Sequence, residues 1–178
     1  MTILCLIVTS VYKSRADKTR KLDLTFSDLW RSPTHLIAFG LGLGLMRFAP
    51  GTWGTLGAVP LYWLLQVMTP LNYMIITLCL FFLGVWVTGR SASLLGVPDY
   101  SGIVWDEVVG FLMTMFLAPK GMVWVGVGFG LFRLFDIVKP YPIKYLEAAP
   151  GGWGIMLDDA AAAVYAALVL QGIAWAMR

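Results

Sequence analysis

Apolar residues fall in blocks along this chain, and each block ends in a short knot of glycine, proline or charge. His35 to Met46 is the first block, with Gly40, Gly42 and Gly44 spaced along it. At about twelve residues it suits a buried, re-entrant or interfacial helix rather than a crossing one. A Pro50-Gly51 break follows. Leu56 to Val67 is the next block, and Leu71 to Thr88 is nearly long enough to cross a bilayer alone. Gly89 to Ser101 reads as a polar connection carrying Arg90 and Asp99. Val108 to Leu117 ends at Ala118-Pro119, and Gly121 to Phe135 leads into a loop from Pro140 to Pro150. Ile155 to Met177 closes the chain, with Asp158 and Asp159 in its first turns. The pattern predicts an all-α, polytopic membrane bundle. Its five short spans fall near 54–68, 71–90, 105–118, 121–137 and 154–176, beside the re-entrant or interfacial N-terminal helix.

Composition agrees. Hydrophobic residues make up 59% and charged residues 13% of 178, where a soluble domain is about half apolar and about a quarter charged. The length suits one membrane-embedded unit over 31–178 behind a basic, partly mobile extension over 1–30. Lys13, Arg15, Lys18, Arg20, Lys21 and Arg31 precede the long blocks. With alternating spans they share a side with Arg90, Arg133, Lys139 and Lys144, against Lys120 and Arg178. The positive-inside bias makes that side cytoplasmic. A net charge of +3 makes no case for nucleic acid. Cys5 and Cys79 lack metal-site spacing and read as small buried hydrophobes. His35 stands alone, as a buried polar group.

Four knots fall on the cytoplasmic side: Ala49 to Thr55, Ile103 to Glu107, Arg133 to Lys139, and Gly151 to Asp159. Seven of the ten acids lie after residue 98. Carboxylates at the edge of hydrocarbon are costly and mark function. Asp106, Glu107, Asp136, Asp158 and Asp159 offer hard oxygen ligands, which suit Mg²⁺ with substrate phosphate. Capping of helix N-termini is the competing account of the same acids. Asp136 and Lys139 are three apart and share a helix face, either as a surface ion pair or as a pocket wall with Arg133. Gly51, Thr52 and Thr55 lie just before a helix, where backbone N–H groups and hydroxyls can hold phosphate; a plain membrane-edge turn has the same look. Trp30, Trp53, Trp105 and Trp153 read as an interfacial belt.

Taken in order, these elements resemble the phosphatidylglycerophosphatase A family. The matching stretches are Gly42 to Leu45 through Ala49 to Thr55, Ile103 to Glu107, Phe132 to Ile143, and Gly151 to Asp159; residues 1–30 are not covered. The resemblance implies Mg²⁺-dependent hydrolysis of phosphatidylglycerophosphate, an anionic membrane phospholipid, to phosphatidylglycerol and phosphate at the bacterial inner membrane. Two positions depart from the family pattern. Pro98-Asp99-Tyr100 stands where histidines are frequent, and Arg47 stands where proline is common, which makes Arg47 an added phosphate contact.

The expected chemistry places Mg²⁺ among some of the five acids, with Lys139 and Arg133 neutralising charge on the transferred group. A spare carboxylate takes the proton of an attacking water; direct attack by an Asp is the second route. A small transporter or channel subunit is the alternative, in which intramembrane acids form an ion path and spread through membrane depth. Nothing in the sequence sets an oligomeric state.

Overall fold

The structure, a computed structural model, describes residues 26–97 and 100–177. The basic cluster from Lys13 to Lys21, Cys5, Asp99 and Arg178 lie outside the described residues. Every regular element among the described residues is helical. In chain order they are α1 (Phe26–Trp30), α2 (Pro33–Ala38), a 3₁₀ segment (Gly40–Leu45), α3 (Pro50–Leu65), α4 (Pro70–Leu95), α5 (Trp105–Thr114), α6 (Met122–Val138), α7 (Ile143–Leu146) and α8 (Gly152–Ala176). Proline opens α2, α3 and α4, where its fixed φ fits and its missing N–H costs nothing. The Thr69 hydroxyl accepts the Asn72 N–H at the start of α4, and Gly96 ends that helix in the left-handed region.

Helix α8 lies at the centre, packed against α4, α5 and α6. Its fully buried Ala162, Ala163 and Ala166 let neighbouring backbones approach. Around it Phe111, Leu112, Met115, Phe132, Ile143 and Leu170 form the main core. A second cluster, including Leu29, Phe39, Val87 and Ile103, fastens the N-terminal elements to α4. The Val104 N–H donates to the Ala38 carbonyl at 2.9 Å and ties α2 to the start of α5. His35 Nδ1 lies 2.8 Å from the buried Ser91 hydroxyl, so the one histidine serves as a strut between α2 and α4.

Helices stand at all five expected places. Two of them, α4 and α8, are long and apolar enough to cross a membrane, with mean hydropathy 2.0 and 1.5. The ten residues of α5 reach only about 15 Å at 1.5 Å per residue. Large apolar side chains cover the outside: Phe82, Trp86, Leu168 and Trp175 are all exposed.

Several boundaries differ from the sequence expectation. The block from His35 to Met46 is not one helix, because Leu41 and Gly42 turn to positive φ after α2 ends. The helix expected after Thr55 begins at Pro50, so Gly51, Thr52 and Thr55 lie in its first turns rather than before it. The polar connection expected from Gly89 is helix as far as Leu95. Gly89 there is a crossing point rather than a breaker, since a Cβ on it would come within 2.8 Å of Gly152 N. The loop from Pro140 to Pro150 contains α7. Cys79 is exposed, not buried, on the apolar outside of α4. Trp105 is half-buried and donates its indole N–H to the Leu80 carbonyl at 3.1 Å, so it packs between helices instead of joining a belt.

Candidate active site

Asp106 and Glu107 occupy the first turn of α5, two and three residues after the N-cap residue Val104. The N-cap residue makes no side-chain cap hydrogen bond, and the helix dipole there favours the charge of both acids. Asp159 approaches from the second turn of α8. One carboxylate oxygen from each of Asp106, Glu107 and Asp159 lies within 4.8 Å of the other two. Asp106 and Asp159 are buried, and Glu107 is half-buried. Glu107 Oε2 and Asp159 Oδ2 are buried without a hydrogen-bond partner. Like charges held together in that state are costly unless a cation joins them. The three carboxylates can therefore hold a metal ion, and their all-oxygen chemistry suits a hard one.

Two basic residues of the α6 knot flank the cluster. Arg133 Nη1 lies 2.6 Å from Asp136 Oδ2 and 3.8 Å from Glu107 Oε1. Lys139 ends α6 with φ 44, in the left-handed region. Its Nζ lies 2.5 Å from Asp158 Oδ2 and 3.8 Å from Glu147 Oε2. Burial lowers the pKa of this ammonium, but Asp158 and then Glu147 outweigh that and hold it above the ordinary lysine range. Asp158 Oδ1 also accepts the Asp159 N–H at 3.0 Å. Of the five acids expected around one metal, the structure brings three together. Asp136 pairs with Arg133 and also hydrogen-bonds Asp159 of the trio, and Asp158 pairs with Lys139.

The α3 knot closes the site from the other side. A Cβ added to Gly51 would collide with Glu107 Oε1 and lie 3.0 Å from Arg133 Nη1. Only glycine leaves the α3 N-terminus this close to the acids. Thr55 is fully buried and donates its hydroxyl to the Gly51 carbonyl at 2.9 Å. Thr52 is half-buried in the first turn, and Arg47 is exposed in the preceding loop. Glu147 is not among the site residues expected from the sequence, yet it reaches Lys139. Its approach to Lys139 depends on the path of the chain through α7, and one acid in a loop carries no local signal of that.

The arrangement joins a trio of oxygen ligands to an arginine, a lysine and a helix N-terminus. Such a site can bind a metal ion and a phosphate group together. Comparison with known proteins agrees with the phosphate chemistry. The family model described as phosphatidylglycerophosphatase A matches residues 36–174. A Haemophilus influenzae protein named phosphatidylglycerophosphatase A is 41% identical over 149 residues, covering 82% of this chain and 91% of the relative. The Escherichia coli protein of the same name is 38% identical over 157 residues, covering 86% and 91%. A Bacteroides thetaiotaomicron protein provisionally named phosphatidylinositol-3-phosphatase is 38% identical over 148 residues, covering 79% and 92%. No solved structure matches the chain. By the extent and the identity of these matches, the chain belongs to the phosphatidylglycerophosphatase A family.

Proposed function

We propose that this protein is a Mg²⁺-dependent lipid phosphatase of the bacterial inner membrane, hydrolysing phosphatidylglycerophosphate to phosphatidylglycerol and phosphate. The convergence of Asp106, Glu107 and Asp159 within 4.8 Å, in a chain of this family, carries the reading. Those three residues would hold the Mg²⁺, which when bound supplies Lewis-acid polarisation of the phosphoryl oxygens. Arg133 and Lys139 stand beside the cluster to neutralise charge on the transferred phosphoryl group. Asp136 and Asp158 aim those two cations. The first turn of α3 offers the Gly51 N–H and the Thr52 hydroxyl to the same phosphate, and Arg47, exposed in the loop before that helix, would meet the lipid's second phosphate. A second oxygen of the acid trio takes the proton of the attacking water.

In this reading all five longer helices are embedded, with α4 and α8 crossing fully and the acid cluster facing the cytoplasm. The acids gather at one end of the bundle, which supports headgroup chemistry over an ion path through the membrane. The Bacteroides relative supports a second headgroup, a phosphorylated inositol lipid, on the same machinery.

Purified protein tests the proposal. Phosphate release from phosphatidylglycerophosphate is expected with Mg²⁺ and is lost in excess EDTA. Full activity in EDTA removes the metal, and faster release from phosphatidylinositol 3-phosphate transfers the assignment to that lipid.

A further inference from the structure

Two cavities meet at the end of the bundle away from the acids. One, of about 360 Å³, is an apolar groove between α4, α5 and α8, lined by Met74, Thr77, Met113, Leu168 and Gln171 among others. The second, of about 320 Å³, lies between the α3–α4 turn and the α5–α6 turn and includes Gln66 and Lys120. Tyr73, Phe116 and Leu117 line both, so the two are continuous. On α8 the lining runs from Val164 to Gln171, beginning about 8 Å along the axis beyond Asp159, and none of the clustered acids lines it. This compound cavity is therefore separate from the acid cluster.

Its two parts differ in chemistry as the two ends of a phospholipid do. Lys120 is exposed at the outer part. The groove below is apolar and has the volume of a small-ligand site. Within the groove, a turn deeper along α4 than Tyr73, stands Thr77, 6% exposed, whose buried hydroxyl has no hydrogen-bond partner. A donor left this way in apolar surroundings is costly, and an acceptor entering the groove relieves it.

We infer that this cavity binds an anionic glycerophospholipid from the leaflet opposite the acid cluster. The phosphate lies at Lys120 and Gln66, an ester carbonyl accepts the Thr77 hydroxyl, and one acyl chain fills the groove. Lysine at the membrane surface attracts anionic lipid, which selects this occupant over a zwitterionic one. The inference rests on the bundle being membrane-embedded, as proposed above, and not on its phosphatase chemistry.

Native mass spectrometry of the detergent-solubilised protein tests it, with phosphatidylserine and phosphatidylcholine added at equal concentration. Neither is substrate or product of the proposed reaction. The wild type is expected to retain phosphatidylserine in preference. Lys120→Ala, an exposed change, lowers that retention about fivefold and removes the preference. Thr77→Val keeps the shape and weakens both lipids, and Ala167→Phe fills the groove and abolishes retention. Equal retention of the two lipids by the wild type overturns the inference. So does retention unaffected by Lys120→Ala and Ala167→Phe, or crosslinking of a second copy through cysteines at 78 and 168. Phosphate release measured on the same samples separates the two proposals: its loss from the wild type alone leaves the lipid site standing.

Discussion

Gly51→Ala is a small change with an unequal expected effect on stability and on activity. The added methyl collides with Glu107 Oε1 and lies 3.0 Å from Glu107 Cδ and from Arg133 Nη1. Both obstructing groups are ends of flexible side chains, so the fold can yield locally. Overpacking costs about 1–3 kcal/mol when rigid groups must move, and alanine recovers up to about 1 kcal/mol as the better helix former. The variant should purify and melt close to wild type. Relief, however, requires the Glu107 carboxylate to retreat by about 1 Å from its place beside Asp106 and Asp159, and a misplacement of that size costs about 100-fold in rate. The assay is phosphate release from phosphatidylglycerophosphate across a Mg²⁺ titration, with thermal unfolding measured on the same preparation. The Mg²⁺ requirement should rise while turnover falls. Gly130→Ala, on α6 with open space around its would-be Cβ, is the control and should change neither. Near wild-type turnover in a folded Gly51→Ala protein would refute the placement of Glu107 in the working site.

Asp106→Asn and Asp159→Asn preserve shape and remove one charge each, and each should lower turnover by orders of magnitude while the protein still inserts; the double variant should be little worse than either single one, because the trio acts as a unit. Single cysteines test the crossing of α5 and α6: positions 70 and 120 should react only from outside the cytoplasm and position 144 only from within. Labelling of 120 from the cytoplasmic side would reduce the five-segment arrangement to the two long helices.

Much of the site was legible as clusters, and little of it as pairings. Asp106-Glu107 and Asp158-Asp159 stand out because charge at the edge of apolar blocks is rare. Their assignments depend on rotation about a helix axis. Neighbours on a helix point about 100° apart, so Asp158 meets Lys139 while Asp159 turns to the trio. Asp136 and Lys139 share spacing suited to a mutual pair, yet Arg133 takes Asp136, and Lys139 swings away where α6 ends in the left-handed region. The run of apolar blocks located the five longer helices. Their ends were missed where glycine served close packing, as at Gly89 against Gly152, since a sequence pattern does not distinguish a glycine that breaks a helix from one that lets two helices touch. Glu147 depended on a tertiary path that no local pattern encodes.

The depth of the acid trio has a kinetic consequence. Asp159 lies seven residues inside α8 from Gly152, about 10 Å below the end of that helix. With α8 embedded as proposed, a lipid phosphate would reach that level by sliding sideways within its own leaflet, without leaving it. The concentration that governs encounter is then two-dimensional. Diluting the substrate with inert lipid slows the enzyme even when the bulk amount is fixed, whereas diluting the vesicles in water does not.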